Sequence, residues 1–346
     1  MDEKATAMTG HVAYLDGFRG LAIAFLLIGH FFPIPGINFA RIGVNLFFVL
    51  SGFLMSRVLF MKNTPLALFY KRRITRIFPA FFMFLLVMVL WTWYRGMPIA
   101  WREVSMAALF LNNYFYAQGT HATMPFGHIW SLSVEEQSYV LLSLIALGAR
   151  RGWLRATTGL ALLIALSVIL CLWYWHIDDA TAFAFGASYR TELAGYGIVL
   201  SGFFLLLFEH RTIPRLTAWC YPALGLLALL LNWWSIPGPI VLIFGMGIMA
   251  LLLNLLPAAP ASVHRLLSYA PLRKLGIWSF SIYLWQQPFY LQRYYHGMSA
   301  WLGIVLSLAL GIGSYYFLEN PARRYLNARW GALPRQTTAR CPEPVT

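Results

Sequence analysis

The sequence predicts an all-α membrane protein, a polytopic bundle of about ten transmembrane helices with both termini cytoplasmic. Three observations predict it. Of 346 residues, 60% are hydrophobic and only 11% charged, with a mean hydropathy of +0.64. Globular domains carry about a quarter charged residues. The deficit runs along the whole chain, which excludes a soluble domain on a single anchor. Apolar segments near the ~20-residue length of a bilayer span recur from end to end, and basic residues collect in alternate loops.

The first predicted span, 18–34, follows an N-terminus that opens with Asp2 and Glu3 and has no basic n-region. A retained span is therefore expected rather than a cleaved signal peptide. Further spans are read near 40–60, 77–94, 128–149, 156–175, 191–208, 217–232, 238–256, 275–296 and 299–318. The stretches 128–149 and 275–296 are the most polar of these. Residues 103–118 are too short and mixed to cross, and read as an interfacial or re-entrant helix. The Pro-bearing end (Pro334, Pro342, Pro344) reads as a disordered cytoplasmic tail. The expected division is a membrane unit at 1–326 and a flexible tail at 327–346.

Ten spans put both termini on one side. With that side cytoplasmic, Arg41, Arg95, Arg102, Arg190 and Arg293 face outward and Arg19 lies within a span; the rest of the 26 Lys and Arg residues are cytoplasmic. The net charge of +14 then reflects orientation in an inner cell membrane and implies no nucleic-acid partner. Trp91, Trp93, Trp173, Trp175, Trp233 and Trp234 fall at predicted outer ends, as an aromatic belt would. Three scattered cysteines, Cys171, Cys220 and Cys341, offer neither a disulfide framework nor metal spacing. No metal or bound cofactor is expected.

Arg19 and His30 share the first span. Their eleven-residue separation brings them to within about 20° of one helix face, ~16 Å apart along the axis. Ionisable groups at such depth are costly and mark function by default. A neutral imidazole there is a usable general base. In Tyr70–Arg76, Arg73 and Arg76 stand at i,i+3 beside Arg72 and could fork onto phosphates; a positive-inside cluster explains the charge equally well. Residues 127–137 bring Trp130, Ser131, Ser133, Glu135 and Glu136 into the membrane together, with His128, Ser131 and Glu135 on one face. That polar density suits a hydroxyl-rich ligand better than a helix cap. Ser279, Ser281, Tyr283, Gln286 and Gln287 either bond between helices or line the same cavity. Gly43, Ser51 and Gly52 are read first as small residues for close helix packing.

Seven stretches, YLDGFRGLAIAFLLIGHFF, GVNLFFVLSGFLMSRVL, FYKRRITRIFPAFF, HIWSLSVEEQSYVL, YRTELAGYGIVLSG, LGIWSFSIYLWQQPF and YYFLENPARR, run in order from Tyr14 to Arg324. Through them the chain resembles the acyltransferase 3 family of integral membrane O-acyltransferases, which includes O-antigen, exopolysaccharide and Nod-factor acetyltransferases. The resemblance implies a roughly ten-helix core that takes an acyl group from cytosolic acyl-CoA to a carbohydrate hydroxyl. The family's Arg–ten residues–His motif falls on Arg19 and His30, and its Arg-x-x-Arg motif on Arg73 and Arg76. Some members add an esterase-like domain; the residues here leave no room for one, so transfer straight to the final acceptor is expected. Three positions depart from the family pattern. Asn45 stands where Asp is common, Ser138 where Phe is frequent, and Gln286–Gln287 where His–Trp is frequent.

The expected catalytic set is His30, Arg19 and Glu136. Arg73, Arg76 and Arg72 are assigned to acyl-CoA, most simply acetyl-CoA, as co-substrate. Trp130, Ser131, Ser133, Glu135, Tyr283, Gln286 and Gln287 are assigned to the acceptor, with Trp130 stacking on a sugar. His30 acts either as base or as carrier of an acyl group. The expected partners are acyl-CoA, a carbohydrate and the lipid bilayer, with self-association left open. The rival reading is a transporter or flippase for a lipid-linked sugar, and the lack of an internal repeat weighs against it.

Overall fold

A computed structural model describes residues 12–120, 123–209, 211 and 213–330. Among the described residues the chain is helical nearly throughout, with only isolated bridges at Ile34–Ile37 and Ile37–Trp233. A bilayer core offers no water to unpaired backbone groups, so an apolar chain closes its hydrogen bonds within helices. Seven segments are long and apolar enough to cross: Ala13–Phe31, Phe39–Met61, Leu66–Tyr94, Ala156–Ile177, Thr191–Glu209, Gly238–Ala258 and Ala300–Arg329. This is a multi-pass membrane protein.

The helices that position the site are α1 (Ala13–Phe31), α2 (Phe39–Ser56), α3 (Leu66–Tyr94), the short α4 (Trp101–Ala108) and α5 (Asn112–Tyr116), and α6 (Ile129–Arg150). They are followed by α7 (Ala156–Ile177), α8 (Tyr196–Glu209), α9 (Cys220–Leu230), α10 (Met246–Leu255), α11 (Ala261–Leu267), α12 (Ala270–His296), α13 (Ala300–Ser314) and α14 (Asn320–Arg329). Helix α1 packs between α2 and α12, α8 packs on α2, and α14 lies along α3. The apolar windows of α7 and of Ala300–Arg329 are only 22% buried, against 56% for α1 and 67% for Thr191–Glu209. The rim helices expose Leu162, Ile169, Trp301 and Val305, as lipid-facing surfaces require.

Gly43 and Gly52 do the packing the sequence suggests. A Cβ on Gly43 would lie 2.5 Å from the Ala22 carbonyl oxygen, and one on Gly52 2.0 Å from that of Ile198. Only the missing side chain lets α2 press against α1 on one face and α8 on the other. Ser51, grouped with them in the sequence, does something else: its hydroxyl donates to Glu135 at 2.8 Å.

Five expectations change. Helices α6 and α12, 22 and 27 residues long, fall short of span-like hydropathy because their polar groups turn into the bundle. Ser281, for example, donates to buried Glu319 at 2.7 Å. The predicted span 217–232 contains an 11-residue helix, about 17 Å long and too short to cross alone. Asn232 closes its end by donating to the Ala228 carbonyl. The Tyr70–Arg76 cluster is no loop; it forms early turns of the 29-residue α3. The stretch 103–118 splits into α4 and α5 because Phe110 takes a positive φ of 55° between them. Residues 327–329, assigned to the tail, belong to α14, where Asn327 accepts from Thr75 at 2.8 Å. Residues 331–346 of the predicted tail, with Asp2 and Glu3, lie outside the described residues.

Candidate active site

Two cavities meet inside the bundle. The inner one, about 80 Å³, is lined by Arg19 of α1, Ser51 of α2, Arg73 and Arg76 of α3, Ser131 and Glu135 of α6, and Ser279 and Tyr283 of α12, among others. Arg73 is buried and held on three sides. Its Nε donates to Glu136 at 2.8 Å, its Nη2 donates to Glu135 at 3.1 Å, and its guanidinium lies 4.1 Å from the Tyr139 ring centroid. Glu135 also accepts from Ser51 and from Tyr139, the latter at 3.0 Å. A desolvated ion pair holds only when its remaining hydrogen-bonding capacity is filled in this way. Arg19 donates to Asp16 at 3.3 Å. Arg76 differs from both: its Nε is buried without a hydrogen-bond partner among the described residues.

The outer cavity is larger, about 410 Å³, and takes in His30, Asn38, Arg41, Tyr116, His128, Trp130, Tyr189, Trp234, Gln287 and Tyr290. Its volume lies within the usual range of small-ligand sites, about 300–1,000 Å³, and its walls carry many flat aromatic faces. The Nδ1 of His30 lies 2.7 Å from Gln286 Oε1, and the imidazole stacks on Tyr290 at 4.2 Å. An amide oxygen only accepts, so this pairing puts the ring proton on Nδ1 and leaves Nε2 as the basic nitrogen. The entry to α6 is pinned from two sides. Glu103 accepts from the Thr123 and Met124 backbone N–H groups at 2.8 and 3.0 Å, and Asn112 donates to the Phe126 carbonyl at 2.7 Å. His128 follows, buried, with both ring nitrogens unpartnered. On the peripheral helix α5, burial and the nearby charge of Glu103 raise the pKa of the Tyr116 phenol well above its ordinary value, so Tyr116 presents a neutral hydroxyl.

Val44 and Tyr283 line both cavities and form the wall between them. The Tyr283 hydroxyl pairs with Ser131 at 2.6 Å and also hydrogen-bonds the His128 carbonyl. Arg19 and His30 thus stand on opposite sides of this wall on one helix face, as their spacing suggests.

The residues assigned to the acceptor divide. Trp130 and Gln287 line the outer cavity, whereas Ser131 and Glu135 line the inner one. Gln286 is fully buried and bonded to His30, which makes it a positioning residue. Ser133 is turned into its own helix, donating to the Ile129 carbonyl at 3.1 Å. Glu136, placed in the catalytic set, borders neither cavity and holds Arg73. Arg72 is exposed, away from Arg73 and Arg76. Arg41 and His128 were left unassigned in the sequence. Arg41 read as an outward-facing charge, although it stands in the first turn of an apolar helix. Among the described residues, no group of three or more His, Cys, Asp or Glu side chains could hold a metal ion.

A family model described as an acyltransferase domain matches residues 12–320. The chain belongs to the acyltransferase 3 family. This acyltransferase 3 domain is 25% identical to the O-acetyltransferase OatA of Staphylococcus aureus over 93% of its own length and 59% of OatA's. It is 26% identical to YrhL of Bacillus subtilis, a proposed peptidoglycan O-acetyltransferase, over 90% of its length and 55% of YrhL's. It is 28% identical to BcsY of Komagataeibacter xylinus, a proposed membrane-bound transacylase, over 90% of its length and 83% of BcsY's. The chain therefore spans a little over half the length of OatA and YrhL. No solved structure matches it. Family membership does not favour the flippase alternative.

Proposed function

We propose that this acyltransferase 3 domain is an acyl-CoA-dependent O-acyltransferase. It moves an acyl group, most simply acetyl, from cytosolic acyl-CoA to a hydroxyl of a cell-surface or lipid-linked carbohydrate. The observation that carries this is the arrangement of His30, oriented by Gln286 in an aromatic cavity that abuts an arginine-lined cavity on the same face of α1. The names of OatA and YrhL support acetyl as the group moved and a bacterial glycan as its destination.

In this reading the seven apolar spans, α6, α12 and the region of α9 make up ten membrane segments in an inner cell membrane. Both termini and the arginine cavity then face the cytosol. Arg76 holds the CoA phosphates, with Arg19 and the carboxylate-bound Arg73 beside it. The thioester passes Val44 and Tyr283 to reach the outer cavity. His30 Nε2 takes the proton of the acceptor hydroxyl, whose oxygen attacks the thioester carbonyl carbon. The C–S bond breaks, and the thiolate leaving group takes the proton back from His30. The C–O bond of the new ester forms in the same sequence, so atoms and charge balance without a metal. Trp130 and its aromatic neighbours pack on the sugar ring.

Purified protein given acetyl-CoA and candidate glycans should release free thiol and add an acetyl mass to the glycan. His30→Ala should abolish both while the protein still inserts. Retained transfer in that variant removes His30 as the base.

A further inference from the structure

Among the described residues, Arg41 is the one side chain with a permanent charge lining the outer cavity, and no Asp or Glu lines it. Among the described residues, several cations have carboxylates: Arg19 has Asp16, Arg73 has Glu135 and Glu136, Arg190 has Glu192, and Arg323 has Glu319; Arg150 instead donates to the Leu59 and Thr64 carbonyls, away from the outer cavity. Arg41 is half-buried, and its partners among the described residues are all neutral. Its Nη2 donates to the Ser188 carbonyl at 3.3 Å, and its guanidinium lies 5.6 Å from the Trp130 ring centroid and 5.8 Å from that of Tyr189. Such contacts steady a guanidinium without cancelling its charge. A half-buried cation whose described neighbours are all neutral is costly, and an anionic ligand is a direct way to offset it.

The side chain is also built into place. The Arg41 backbone N–H donates to the Asn38 side chain at 3.0 Å, which caps α2 and fixes its first turn. The two aromatic rings then orient the guanidinium, leaving N–H donors for a planar carboxylate or a phosphate. Arg76 offers the matching case in the inner cavity, where an arginine with a free donor is proposed to meet the donor's phosphates.

We infer that Arg41 makes the outer cavity selective for an acceptor that carries an anionic group, a carboxylate or a phosphate, on or next to the sugar being acylated. This rests on the reading of that cavity as the acceptor site. Arg41 is a binding residue for the acceptor's charge, while His30 serves its hydroxyl. A neutral glycan fits the aromatic walls but leaves the guanidinium without a partner.

The test uses the full chain in lipid nanodiscs and three probes: a hexuronate oligosaccharide, its carboxyl-reduced neutral counterpart, and a neutral oligosaccharide bearing a 1-phosphate. Binding is measured without turnover. The wild-type protein should bind at least one charged probe about tenfold to a hundredfold more tightly than the neutral one. Arg41→Gln should erase that preference while leaving neutral binding and the thermal midpoint unchanged; Arg41→Lys should keep part of it. Which charged probe wins tells a carboxylate-bearing sugar from a phosphate-linked one. Equal binding of all three probes by the wild-type protein overturns the inference. So does an Arg41→Gln variant that weakens neutral and charged probes alike, which is the mark of a purely structural role. Acyl transfer is followed in parallel. Charge preference without transfer counts against the proposed reaction and leaves the Arg41 site standing; transfer without charge preference does the reverse.

Discussion

His30 has one ring nitrogen committed to Gln286, and that bond divides the labour of the two residues. Gln286 touches no cavity in this arrangement; it fixes which nitrogen is basic and where the ring lies. Gln286→Leu should lower kcat by about tenfold to a hundredfold with KM for acyl-CoA unchanged, since it removes orientation and not the base. A rise in KM with unchanged kcat would return Gln286 to substrate binding. The arginines separate in the same manner. Arg73→Ala strands Glu135 and Glu136 in a buried site and should cost about 3–5 kcal/mol of stability, read as a lower melting temperature in detergent. Arg76→Ala breaks no hydrogen bond of its Nε among the described residues and should weaken acyl-CoA binding with little loss of stability. His30 and Arg19 stood out in the sequence because their cost in an apolar run is visible without a partner. Gln286 was assigned to the acceptor and its bond to His30 was missed, because the two lie 256 residues apart. Glu135 and Glu136 looked like site carboxylates, and only folding brings them onto Arg73.

Helices α1, α2 and α12 set the distance between the two cavities, and small residues let them do so. Gly52→Ala would push a methyl group into the Ile198 carbonyl and force α2 from α8. A loss of about 1–3 kcal/mol is expected, measured as a drop in thermal midpoint. Val44 tests a different property of α2, since it borders both cavities. Val44→Trp should close the passage between them, lowering acyl transfer at least about tenfold while acyl-CoA binding to the arginines persists. Loss of both together would place the donor elsewhere. Helical periodicity made α1 and α2 readable over most of their length. It could not foresee that α3 absorbs the basic cluster, or that α9 stops after 11 residues, because hydropathy averages over the side-chain bonds that start and end helices.

Across the molecule, the aromatic cavity and the arginine cavity lie toward opposite ends of α1, which gives the bundle a direction. The proposed orientation, taken from the charge asymmetry, puts the α6–α7 connection in the cytoplasm and the α3–α4 connection outside. In a background with Cys171, Cys220 and Cys341 replaced by Ser, Met97→Cys should react with an impermeant thiol reagent on spheroplasts. Trp153→Cys should react only after permeabilisation; both positions are well exposed. The opposite labelling pattern would invert the proposed route of the acyl group. Composition and the spacing of apolar and basic residues were enough to read a helical membrane protein, most of its spans and its costliest pair, because these depend on transfer from water to lipid along a single chain. Partner choice lay beyond them. That Arg73 is bound by two carboxylates, that Gln286 bonds His30 and that Arg41 lines the outer cavity among neutral partners all follow from contacts between distant segments, which a single chain's periodicity does not encode.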